Sequence, residues 1–436
     1  MLALKFDRCN KLTLTKTRLK GQKPGIYSIN LEGFPHFNSL HLAIDQSIGC
    51  LAEVEGCDIN QRNSMGKTPL GWAARNGHEG VVEILLARDD IDPNKPDEYG
   101  KTPLLLAACN GHEGVVKILL GRNDIDPNMP DDSGKTPLLG ATCNGHEGIV
   151  KTLLGRGDIN PNESDDYDRT PLYVAARRRH KGMVRMLLGR EDLDPNKIGQ
   201  DGETPLGASA RKGDEEVVKM LLGRHDIKPN YCGWRGYSPL RGAALNGHEG
   251  VVKILLGRDD IDPDKPDNQG RTPLSCASES GHEGVVEVLL RQGNLSPGKP
   301  DRFGQTPLSW AASNGHEGVV KILLGLDSLN PDKPDRFGRT PLWWAACSGK
   351  VGVVKMLLGR NDISPDKADN GGSTPLLSAA ECGHEGVVEI LLRRGGVNPD
   401  KPDNQGRTAL WFASRNGHTR MVALLQTLAA TTCSTD

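Results

Sequence analysis

The chain has 436 residues with Lys+Arg 54 against Asp+Glu 56, a net charge of −2, which argues against a coat for duplex nucleic acid, whose affinity rests on many uncompensated phosphate contacts. Apolar residues and Gly together reach about 48%, and Gly plus Pro roughly 19%, which fits a soluble globular chain rather than a disordered one. No apolar run approaches the ~18 residues of a membrane span, Met1-Leu-Ala-Leu-Lys5 is too short for a secretory signal, and ten Cys make no disulfide framework, so a reducing intracellular compartment, cytoplasmic or nuclear, is expected.

Residues 1–36 show no repeat, and the basic, polar stretch from Lys5 to Lys23 predicts an irregular lead-in. Residues 37–64 resemble a shortened copy of the unit that recurs from Thr68 onward: Leu40 stands 30 residues ahead of its counterpart Leu70. A degenerate capping repeat is what the end of a stacked array requires.

From there a strict ruler takes over. Thr-Pro-Leu begins at Thr68, Thr102, Thr136, Thr170, Thr204, Thr272, Thr306, Thr340 and Thr374; Ser238 opens Ser-Pro-Leu, and Thr408 opens Thr-Ala-Leu. Every interval is 34 residues. Gly-His-Glu-Gly-Val-Val keeps the same register at Gly77, Gly111, Gly247, Gly281, Gly315 and Gly383. Eleven full units cover residues 65–430, and 431–436 form a polar tail.

In the unit at Thr102, the threonine hydroxyl is a candidate N-cap, and Pro103 presets φ at the first helical position. Leu104, Ala107 and Ala108 share one helix face, and Gly111 ends the helix as a residue tolerant of positive φ. A second helix carries Val115, Val116, Ile118, Leu119 and Leu120, then stops at Gly121. Helices of about eight residues do not persist alone. At ~1.5–3 kcal/mol per buried aliphatic side chain, the apolar stripe must be covered by adjacent units. The connection from Asp124 to Gly134 holds two Pro and cannot be helical; Asp131 and Gly134 fit the ends of a type I turn.

Gly-x-Thr-Pro-Leu, Ala-Ala-x-x-Gly-His and Val-Val-x-x-Leu-Leu together resemble ankyrin repeats. The resemblance implies an all-α solenoid of stacked helix-turn-helix units with projecting hairpin-like loops. It also implies a concave groove and loop tips that bind partner proteins. Two departures stand out: the period is 34 rather than 33, and no unit has His after Thr-Pro-Leu. Gly71, Leu105, Tyr173, Arg241, Ser275 and Trp343 occupy that place. The wording Gly-His-Glu-Gly-Val-Val-Lys-Ile-Leu-Leu-Gly-Arg is similar to fungal ankyrin arrays, which often form the sensor end of larger nucleotide-binding (NACHT-type) switch proteins.

Several motifs imitate chemistry. Gly-Lys-Thr at Gly66, Gly100 and Gly134 echoes a phosphate loop, yet Gln61, Lys95 and Met129 stand where its first Gly belongs. The nine His of the turn column, His78 through His418, have no second His four residues on, so each reads as a structural residue of its turn. Asp260-Ile-Asp-Pro-Asp264 lacks the Gly and Glu of a calcium loop, with Lys265 and Arg271 in their places. No Cys-x-x-Cys exists. The reading is therefore a non-enzyme with no cofactor and no metal, monomeric, without membrane attachment and not directed at nucleic acid. An enzyme hidden in residues 1–64 is a remote alternative, because no paired acid and base stands there.

Two patches break the near-identical scaffold. Loop tips Arg302, Phe303, Arg336 and Phe337 accompany Trp310, Trp343 and Trp344 in the eighth and ninth units, and these residue types are enriched in binding hot spots. Arg177 and Arg178 begin a basic turn in the fourth unit, followed by Arg211 and Lys212 in the fifth; they suit an acidic protein surface. Packing of the rings between units, and a merely solvated basic face, are the plain alternatives.

Overall fold

A computed structural model describes residues 58–63, 66–234, 236–394 and 396–432, together with three strands nearer the start. Most of the capping repeat expected at 37–64, and residues 433–436 of the polar tail, lie outside the described residues. Two compact units divide the chain, residues 1–201 and 202–436.

The first unit contains a small antiparallel sheet in the order β1 (Leu2–Phe6), β2 (Lys11–Lys16), β3 (Ile26–Asn30), with Leu4 opposite Leu14 and Leu14 opposite Tyr27. This corrects the expectation of an irregular lead-in over 1–36. Lys-Leu-Thr-Leu-Thr-Lys alternates with period two, the signature of a strand, and carries none of the motifs of the 34-residue unit.

Beyond the sheet the described residues are all-α, with paired helices in a regular array. The first helix of each pair runs, for example, Pro103–Asn110 and the second Glu113–Leu120. Thr102 Oγ1 accepts the Leu105 N–H at 3.2 Å, and Ser238 does the same for Arg241. Gly111 closes the first helix at φ 84°, while Gly121 caps the second. Gly134 donates to the Asp131 carbonyl at 2.8 Å, closing the expected turn.

Within each compact unit, first helices stack on first helices and second on second. Leu104, Ala107, Ala108, Val115, Val116 and Leu119 are essentially inaccessible. The small Ala pair lets neighbouring backbones approach, and the aliphatic stripe contributes most of the burial energy.

Polar contacts then fix the spacing. Orphan carbonyls end every helix, and at several second helices an Arg from the next repeat satisfies one of them: Arg122 Nη1 donates to the Leu86 carbonyl at 2.6 Å, and Arg156 to Leu120 at 2.8 Å. Each guanidinium is steadied by a carboxylate two residues on, and that hydrogen bond from Arg122 holds Asp124 below its usual range. Asn94 crosses in both directions, Nδ2 donating to the Asp124 carbonyl and Oδ1 accepting from the Asp126 N–H. The His column is structural too, since His146 Nε2 donates to the Cys109 carbonyl at 3.1 Å.

Candidate functional site

A buried Asp organises most of the connecting loops, among them those of Asp97, Asp131, Asp165, Asp267, Asp301, Asp335 and Asp403, while Gly199 and Gly233 stand in the same column. Asp335 Oδ1 accepts the N–H groups of Phe337 at 2.8 Å and Arg339 at 3.0 Å, which bends the chain so that Arg336 and Phe337 stand at the tip. Successive tips are joined through the backbone: Arg302 N–H donates to the Gln269 carbonyl, Arg336 to Phe303, and Asn370 to Phe337. The tips therefore form a tethered row rather than independent loops.

Phe303 and Phe337 are each about half exposed, at 52% and 51%, and Arg302 and Arg336 are exposed as well. Trp310, Trp343 and Trp344 are half-buried on their first helices. Trp310 Nε1 donates to Asp301 Oδ2 and Trp344 Nε1 to Asp335 Oδ2, both at 3.2 Å. The polar ends of these two indoles are thus satisfied within their own repeats, leaving apolar ring surface.

Sequence reasoning missed Arg339, the centre of this patch. Its guanidinium lies 4.5 Å from the Phe337 ring centre, 4.1 Å from Trp344 and 5.4 Å from Trp343, while Nε donates to Asp335 Oδ2 at 2.9 Å. Trp343 and Trp344 meet edge to face at 5.3 Å. Cation–π contacts of this kind hold the rings in one orientation before any partner arrives. Arg immediately before Thr-Pro-Leu was the available signal, but only the turn shows that it points among the rings. Arg407 repeats the arrangement with Trp411 and Phe412, at 5.5 and 4.8 Å.

The basic residues are placed differently from a free cationic face. Arg177 pairs with Asp201 at 3.3 Å, and Arg178 Nη1 donates to the Cys143 carbonyl. Arg179 replaces the usual turn Gly and takes φ 63°. Arg177 and Arg178 belong to the first compact unit, Arg211 and Lys212 to the second. Arg211 is held by the buried Glu203, Nε lying 2.9 and 3.0 Å from its two oxygens, and Lys212 is exposed.

A second omission is Arg241, which occupies the column after Ser-Pro-Leu yet is only 2% exposed. It stacks on the Tyr237 ring at 3.8 Å and pairs with buried Asp267 at 3.0 Å. One Arg in a column otherwise filled by Gly, Leu, Ser, Tyr or Trp was the visible anomaly.

A family model described as ankyrin repeats, three copies, matches residues 40–131, 123–199, 158–231, 206–298, 293–369 and 360–436. The chain belongs to the ankyrin-repeat family. A comparison with curated proteins gives no match. Ankyrin repeats are generally protein–protein interaction modules, and the family is typically non-catalytic. No helix among the described residues of this ankyrin-repeat protein is long and apolar enough to cross a membrane.

Proposed function

We propose that this chain is a non-catalytic scaffold, monomeric in itself, that binds a partner protein through the loop tips and first-helix surface of its eighth and ninth repeats. The observation that carries the reading is the half-exposed Phe337 ring, held with Trp343 and Trp344 around Arg339 on a backbone-tethered loop row. Preorganised rings lose little ordering entropy on association, and aromatic and Arg side chains dominate binding energy where they are desolvated by a partner. Arg302, Phe303, Trp310 and Arg336 extend the same surface. Arg177, Arg178, Arg211 and Lys212 supply secondary contacts to acidic partners.

Affinity capture with the wild type beside Phe337→Ala/Trp344→Ala and Arg178→Glu/Arg211→Glu tests it. Loss of at least one partner from the aromatic variant, with unchanged circular dichroism, supports the site. Equal retention of every captured protein by both variants rejects it.

A further inference from the structure

The last turn of each first helix places the seventh residue after the capping Thr against the eighth residue of the next repeat. Asn144 donates to the Cys109 carbonyl at 2.7 Å, and Asn416 to the Glu381 carbonyl at 2.8 Å. Arg178 reaches the Cys143 carbonyl, and the hydroxyls of Ser313 and Ser348 lie 3.4 Å apart. Cys347 is seventh after Thr340 and Cys382 eighth after Thr374, and their Sγ atoms meet at 3.8 Å. No other such position, from Arg75 with Asn110 to Glu381 with Asn416, holds two Cys. The register of the array sets this thiol pair, and loop geometry plays no part in it.

We propose that Cys347 and Cys382 form a covalent modification site, an inter-repeat disulfide installed reversibly by a small-molecule disulfide. A bonded pair needs its sulfurs about 2.05 Å apart, so side-chain rotation has to close a gap of about 2 Å. Cys382 is exposed and Cys347 half-buried, which orders the steps. Cys382 loses its proton and attacks one sulfur of the small disulfide, forming a mixed disulfide and releasing one small thiolate. Cys347, deprotonated in turn, attacks the Cys382 sulfur; the new S–S bond forms as the second small thiolate leaves, and both thiolates take up the protons released. The two protein thiols are oxidised and the small disulfide is reduced to two thiols. The bond ties the ninth repeat to the tenth, one helical turn from Trp343 and Trp344. It stands independently of the partner reading above.

The test incubates the full chain with oxidised glutathione, blocks the remaining thiols with N-ethylmaleimide, and maps tryptic peptides by mass spectrometry. The expected product joins peptides 340–350 and 368–393 and is lighter than their sum by two hydrogens. It is the dominant new species, is released by dithiothreitol, and is absent from Cys347→Ser and Cys382→Ser chains. In Cys347→Ser, Cys382 stops as its glutathione adduct. The proposal is overturned if wild-type Cys382 also stops as the adduct, stays a free thiol, or joins another cysteine in comparable yield.

Discussion

His282 fills the space that a side chain on Gly247 would need: a Cβ there would stand 2.6 Å from Nδ1, while Nε2 of the same ring donates to the Leu245 carbonyl at 3.0 Å. A carbonyl only accepts, so the proton sits on Nε2. Gly247 is also at φ 74°, so one residue answers both a left-handed cap and the approach of the next repeat. Gly247→Ala combines a positive-φ penalty of about 1–2 kcal/mol with displacement of the ring. An overall loss of about 2–3 kcal/mol in urea unfolding is expected; a loss below about 0.5 kcal/mol contradicts the double requirement.

The ladder of Asn128 and its equivalents changes at Asp264. Asn128 Nδ2 donates to the Asp158 carbonyl at 2.6 Å and Oδ1 accepts from Asn160 at 2.8 Å. Asp264 keeps the second bond through Oδ2, which accepts from Ser296 at 2.8 Å, but its Oδ1 is buried without a partner among the described residues. Asp264→Asn restores a donor facing the Asn294 carbonyl. It is expected to stabilise the chain by about 1 kcal/mol, and Asn128→Asp to destabilise it by at least as much. Paired urea midpoints decide, and a destabilised Asp264→Asn counts against the ladder.

Asp267 takes charge from two sides, Arg241 at 3.0 Å and Arg271 at 3.2 Å. Removing Arg241 leaves a buried carboxylate half neutralised and an empty space on Tyr237. Arg241→Ala should cost about 3 kcal/mol, the range for breaking a buried pair. Arg271→Ala, at the more exposed side, should cost less; the reverse ranking in thermal unfolding would show that the Tyr237 stack contributes nothing.

Partial desolvation of its sulfur against the next repeat, then the adjacent Cys347 thiol, then Glu381, push the otherwise exposed Cys382 thiol up to about 11. Only the thiolate is nucleophilic. Iodoacetamide labelling of Cys382 therefore keeps rising, roughly tenfold per pH unit, through the range above about 8.5 where an ordinary thiol has begun to level off. Peptide-resolved rates between pH 7 and pH 10 check this, and a plateau at pH 9 goes against it.

The caps, turns and core columns of the array are legible because each is a local rule. Thr102 with Leu105, Asp131 with Gly134 and the Val115–Leu119 stripe all lie within a few residues of one another, and repetition every 34 residues removes accident. The aromatic patch is legible by type, since Phe337, Trp343 and Trp344 stand out from their columns. Its organising cation is not: composition points to Arg336 at the tip, while Arg339 lies among the rings because the Asp335 turn directs it there. The basic turn reads in one dimension as free charge, whereas Arg177 and Arg178 are engaged with Asp201 and the Cys143 carbonyl.

By itself, then, the sequence determined the family, the helix caps and the main apolar core columns, because capping, period and hydrophobic burial act over one or two helical turns. The tertiary structure alone decided which residues face each other from one repeat to the next: Cys347 with Cys382, His282 with Gly247, Arg241 with Asp267. Those contacts join residues 26 to 35 positions apart. They depend on the offset between stacked helices, which close packing of Ala and Val sets to a fraction of a side chain.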